Sequence, residues 1–128
     1  MSDSSWHGTR VAGILGNDGF TWTAATDMVA IPRLDIALPS DPVYPNAIAN
    51  GTVFGGIGNA FFSVPIAFAW TPSAGTRALA DLATAAGIAL PEGTILNNVL
   101  AASADGTVLI GTAMDADFLS HTFVLRLP

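Results

Sequence analysis

Short apolar runs alternate with glycine-centred turns along this chain, and they do so three times in a similar order. Residues 7–23 read HGTRVAGILGNDGFTWT, residues 50–71 read NGTVFGGIGNAFFSVPIAFAWT, and residues 105–127 read DGTVLIGTAMDADFLSHTFVLRL. Each opens with a polar residue and Gly-Thr, then enters a short apolar run. Each carries a second glycine five residues after the first: Gly8 and Gly13, Gly51 and Gly56, Gly106 and Gly111. Each closes on an apolar alternation: Phe20-Thr-Trp22, Phe68-Ala-Trp70, Phe123-Val-Leu125. The leading glycines stand 43 and then 55 residues apart. Self-similarity at this period marks an array of similar units.

The pattern predicts strands over 9–15, 52–57 and 107–112, rich in Val and Ile and bounded by glycine turns. A second strand is predicted over 20–23, 66–71 and 122–127, where residues two apart share a sheet face. Third strands are expected at 28–31 and 77–79, and leading strands at 46–49 and 95–101. Each unit thus holds about four strands in up-and-down order, the size of a propeller blade. The units run approximately 1–45, 46–90 and 91–128 of one domain, and the chain is expected to enter the first unit at its Gly-Thr strand. Residues 32–45 hold four prolines and read as a turning loop. Residues 78–89 carry Leu79, Leu82, Ala83 and Ala86 at helical spacing, with Gly87 near the end, and read as a short inserted helix. Trp22 and Trp70 recur at one repeat position and are expected in the blade core.

The expected fold is therefore all-β: a propeller fragment of three blade-like repeats with one short helical insertion. Propellers usually carry four to eight blades, so three cannot close a ring. Both end blades would expose apolar faces, and a second copy of the chain would cover them. Two copies give six blades, which makes a closed homodimer the expected assembly.

Composition narrows the function. About half of the 128 residues are apolar (51%), which excludes a disordered segment. Cysteine is absent, so disulfides and cysteine nucleophiles are excluded. Lysine is absent too. The four basic residues Arg10, Arg33, Arg77 and Arg126 are scattered and the net charge is −6, which argues against nucleic acid as a partner. The apolar runs are too short for a helical membrane span, and the opening Met-Ser-Asp-Ser-Ser lacks the marks of a signal peptide.

The GTxxxG…FxWT pattern resembles the HAF-type repeats of bacterial extracellular and autotransporter passenger proteins. The closest match is LADLATAAGIALPEGTILNNVLAASADGTVLIGTAMD…TFVLRLP, and the resemblance covers essentially the whole chain. It implies a β-propeller-like array on an exported protein, and no shared catalytic signature comes with it. The string from His7 to Gly13 also resembles the histidine block of subtilisin-like proteases. No aspartate block precedes it, and the echo of the serine block at Gly111-Thr112-Ala113-Met114 has alanine where the nucleophile belongs. The repeat accounts for the string without that chemistry.

Chemistry-bearing residues gather between the paired strands. Asp115, Asp117 and His121 in the third unit bring two carboxylates and an imidazole to one loop, a set able to hold a divalent cation such as Zn, Mn or Ca. Asp18 in the first unit and Asn59 in the second occupy the corresponding loops, and all three loops are expected at one mouth of the ring. Trp6 lies outside the repeat register, beside a chain end, where it can pack against a neighbouring blade or line a pocket. His121 and His7 are the two groups with ordinary titration near neutrality, hence the candidate general bases. Two function classes follow. One is a module that pairs with a second copy and binds a small molecule, glycan or protein at the ring mouth. The other is a metal- or histidine-dependent hydrolase of small esters or phosphoesters.

Overall fold

The computed structural model describes residues 10–34, 41–58 and 64–128, together with the backbone of residues 4–7. The chain forms three antiparallel sheets, each a simple meander. The first holds β1 (Ser4–His7), β2 (Arg10–Leu15), β3 (Asp18–Thr23) and β4 (Asp27–Ala30) in sequence order. The second holds β5 (Val43–Ala49), β6 (Thr52–Ile57), β7 (Ile66–Thr71) and β8 (Gly75–Ala78), again in order. Helix α1 (Leu79–Ala85) follows, and the third sheet is β9 (Ile95–Ala102), β10 (Val108–Met114) and β11 (Ser120–Arg126). No helix among the described residues is long and apolar enough to cross a membrane.

The β2–β3, β6–β7 and β10–β11 hairpins share one pairing register. Gly13 stands opposite Phe20, Gly55 opposite Phe68, and Gly111 opposite Phe123. Val11 faces Trp22, Val53 faces Trp70, and Leu109 faces Leu125. The even five-residue spacing selects Gly56 as the second-unit glycine, but the pairing selects Gly55: this unit is one residue shorter before its glycine. The reason is steric. A Cβ on Gly111 would lie 2.7 Å from the Phe123 ring and collide with the Asn98 carbonyl. A Cβ on Gly55 would lie 3.0 Å from the Phe68 ring and collide with the Tyr44 carbonyl. In both sheets the phenylalanine ring lies across its glycine, and that fixes the register.

Strand alternation gives every sheet two faces. Call the face with the glycine–phenylalanine pair the front. The front of the second sheet (Val43, Ile48, Val53, Ile57, Phe68, Trp70) packs with Ala12 from the back of the first and Ile31 from the segment after β4. Gly19 belongs to the same first-sheet back, where an added Cβ would lie 2.6 Å from Val43. The back of the second sheet (Ala47, Ala49, Phe54, Ala67, Ala69) packs with Leu96, Val99, Leu109, Ala113 and Leu125 on the front of the third. Leu79 and Ala83 of α1 complete that core. Each junction therefore sets the front of one sheet on the back of the sheet before it, a back that is mostly alanine and glycine apart from Phe54, and the second sheet is covered on both faces.

Several expectations are corrected. Unit one has a leading strand, β1, ahead of its Gly-Thr segment. Pro45 lies inside β5 rather than in a loop, at a register shift between Pro45 and Ala47 where the missing N–H is tolerated. Leu79 starts the helix instead of ending a strand. The helix stops before 89, because Gly87 (φ +80°) turns the chain and the Ile88 amide bonds back to the Ala83 carbonyl at 2.9 Å. Trp70 is core at 6% exposure, whereas Trp22, at the matching register position, is 39% exposed, because no sheet among the described residues packs on the front of the first.

Candidate functional site

The β10–β11 hairpin is organised by one carboxylate. Met114 and Ser120 form its last strand pair, so the loop is 115–119. The Asp115 amide donates to the Leu119 carbonyl at 3.0 Å, and the Phe118 amide to the Asp115 carbonyl at 3.0 Å. Oδ1 of Asp115 accepts from the Asp117 amide at 2.9 Å and the Leu119 amide at 3.0 Å. Its Oδ2 lies 2.7 Å from Nε2 of His121. The His121 contact holds the Asp115 carboxyl below its ordinary 3.8, helped by the Leu119 and Asp117 amides. An ionised carboxylate only accepts, so Nε2 carries the proton, and neutral His121 keeps its lone pair at Nδ1.

His121 stands opposite Ala113 on the front of the third sheet. With Asp115 it borders a cleft of about 340 Å³ whose walls include Leu90, Leu96, Met114 and Phe123. The turn before β9 forms the other side: Gly93 (φ +80°) sits where an added Cβ would lie 2.7 Å from Cβ of Ala116. Only glycine both adopts that conformation and allows the approach. A carboxylate-oriented imidazole on an apolar wall is equipped for general-base chemistry. Asp117 enters the arrangement through its amide. Among the described residues no three His, Asp or Glu side chains stand close enough to hold a metal ion. Of the predicted set, the structure joins Asp115 and His121.

The other sequence candidates are dispersed. Asp18 follows the two-residue turn at Gly16-Asn17 and pairs with Arg33 at 2.8 Å. The same guanidinium donates to the Asn17 carbonyl at 2.9 Å and the Asp41 carbonyl at 2.6 Å, tying the hairpin to the segment before β5. Asn59 lies outside the described residues. So do the side chains of Trp6 and His7, whose backbones pair with Val11 and Arg10 in β1–β2. The hairpin ends are linked along one end of the stack. The Val43 amide donates to the Asn17 carbonyl (3.0 Å), the Gly58 amide to the Pro42 carbonyl (2.8 Å), and Asn97 Nδ2 to the Pro65 carbonyl (2.9 Å).

Two polar couplings between sheets escaped the sequence reading. Arg10 donates to Thr21 Oγ1 at 2.6 Å, and its guanidinium lies 5.5 Å from the centre of the Trp70 ring, so it bridges the first and second sheets. Asn46 Nδ2 donates to Asn98 Oδ1 at 2.7 Å and to the Val99 carbonyl at 3.0 Å, bridging the second and third. The available signal was strand alternation, which puts Arg10 on the same face as Ala12. The chain matches no family model, no curated protein and no solved structure.

Proposed function

We propose that this chain is a blade-type repeat module that assembles with a second copy of itself and binds a small molecule, glycan or protein at the end where its hairpin loops lie. The open front of the first sheet carries this reading. Val11, Leu15, Phe20, Trp22 and Met28 line an apolar groove of about 360 Å³ there. The matching face of the second sheet is buried at a sheet–sheet junction, so this one has the composition of an interface. The three meanders, read with the resemblance to HAF-type repeats, favour a ring of six units from two chains. Light scattering coupled to size exclusion tests the assembly: a dimer near twice 13.1 kDa is expected, and a stable monomer at micromolar concentration refutes it.

The Asp115–His121 pair favours a second reading, a hydrolase of small esters or phosphoesters. In that reading Nδ1 of His121 takes a proton from water as its oxygen attacks the ester carbonyl or phosphorus, the bond to the leaving oxygen breaks, and the imidazolium returns the proton to that oxygen so that it departs as the alcohol. Asp115 holds the ring and stabilises the imidazolium. A panel of chromogenic esters and phosphoesters, run with and without chelator, tests it. Turnover lost in His121→Ala supports this reading, and no turnover on any substrate refutes it.

A further inference from the structure

We propose that the second copy docks head to tail, with the back of its third sheet covering the front of the first. This rests on the self-assembling reading above and specifies its interface. Such docking continues the two junctions inside the chain. Both are built from the front of one sheet on the back of the sheet before it in sequence. Among the described residues no sheet packs on two faces: the front of the first sheet and the back of the third. The register makes Ile110 and Val124 the equivalents of Phe54 and Ala69, which lie in the junction beneath the third sheet. Ile110 and Val124 pair directly, and both are exposed, Val124 at 68%. A two-sided polar sheet would need no partner; this back is an exposed apolar pair between Thr112–Thr122 and Val108–Arg126.

The make-up of the faces favours that polarity. The fronts of the first and second sheets carry Phe and Trp, while the buried positions of the backs are mostly alanine and glycine, Phe54 being the large exception. Setting two first-sheet fronts together would oppose Trp22 and Phe20 to their own copies, a pairing neither internal junction uses. The cation repeats too. Arg10 on the back of the first sheet lies over Trp70 on the front of the second. Arg126 stands opposite Val108, the register equivalent of Arg10, and is exposed on the third-sheet back. The same stacking places Val108 over Trp22 of the other copy, with Arg126 beside it on the neighbouring strand. Because the two mating surfaces differ, the contact is heterologous, and two copies joined twice form a closed ring.

A mixing experiment tests polarity separately from assembly. Trp22→Lys spoils one mating face and Val124→Glu the other, and Met28→Lys provides a second first-sheet variant. All three positions are exposed, and circular dichroism with thermal melting verifies each fold. Under head-to-tail docking every variant alone is monomeric by light scattering. A mixture of Trp22→Lys with Val124→Glu recovers a 1:1 dimer, since one junction is then wild type and the other pairs Lys with Glu. Arg126→Ala, which acts at both junctions of the ring, weakens the wild-type dimer about five- to thirty-fold, the loss of two exposed cation–π contacts. If Val124→Glu stays as dimeric as wild type while Trp22→Lys does not, the faces pair front to front and the head-to-tail proposal falls alone. If the wild-type chain is itself monomeric, the assembly reading falls and takes this inference with it.

Discussion

Trp70 and Trp22 occupy one repeat position in two environments, so truncating each measures what a covering sheet contributes. Trp70 is 6% exposed inside the junction between the first and second sheets, beneath the Arg10 guanidinium. Replacing it with alanine opens a cavity between two sheets that cannot collapse independently, costing about 3–5 kcal/mol. Loss of the cation–π contact adds about 0.5–1 kcal/mol. Trp22 is 39% exposed on an open face, so Trp22→Ala leaves no enclosed cavity and costs about 1–2 kcal/mol in the isolated chain. The assay is urea unfolding followed by circular dichroism, at two protein concentrations tenfold apart. Trp70→Ala should lose the larger amount at both concentrations and melt roughly 10–20 °C below wild type. Under the proposed assembly the Trp22→Ala deficit should grow with concentration, because a second copy would then cover that face. If the two variants lose equal stability at the lower concentration, the assignment of covered and open fronts is wrong.

Arg10→Ala should cost about 1–2 kcal/mol in the same assay, because it removes the Trp70 contact and leaves the buried Thr21 hydroxyl without its donor. Gly111→Ala should destabilise by about 1–3 kcal/mol or prevent folding, as its Cβ meets the Phe123 ring and the Asn98 carbonyl. The Asp105 carboxylate accepts from Ser103 Oγ, the Thr107 hydroxyl and the Thr107 amide, which lower its pKa to about 2. A depressed folded-state value means that its contribution is present above the ordinary 3.8 and is lost as pH falls through about 2. Melting of wild type and Asp105→Asn should therefore differ above about pH 4 and converge towards pH 2. In the β10–β11 loop, Asp115→Ala should speed hydrogen exchange at the Asp117 and Leu119 amides, while Asp117→Ala, whose amide is the group engaged, leaves Leu119 protected.

How much of this was legible in the sequence depends on whether a residue's role is local. The strands followed from Val- and Ile-rich runs between glycine turns, and Leu79 and Ala83 at helical spacing located the helix on its buried side. Pro45 was misread because a bulge that tolerates proline is set by the partner strand, and the five-residue glycine spacing misassigned Gly56 for the same reason. The Asp115–His121 pair was visible as composition, but its partition was not. One carboxylate serves the loop's own amides and Asp117 gives only its backbone, a distinction made by hairpin length. Arg10, Asn46 and Asn98 act between sheets, where sequence separation is no guide to distance.

The asymmetry of the faces also explains why one repeated motif gives two fates to the same residue type. A front places glycine opposite phenylalanine, and in the second and third sheets the ring lies across that glycine. A back is made from the intervening positions, where Ala12, Ala67, Ala69 and Gly19 keep the sheet thin enough for the next front to approach. Fronts and backs are therefore complementary but not self-complementary, and adding sheets always leaves one of each. Covering both with apolar-to-polar changes would remove the need for a partner. This chain instead retains Trp22, Leu15 and Met28 on one end and Leu100, Ile110 and Val124 exposed on the third sheet, all still open to solvent. Exposed apolar side chains at both ends of one stack favour a contact between the ends over a role for either face alone. A ligand-binding role for the first-sheet groove by itself would leave the third-sheet face without a reason, whereas a head-to-tail junction accounts for both.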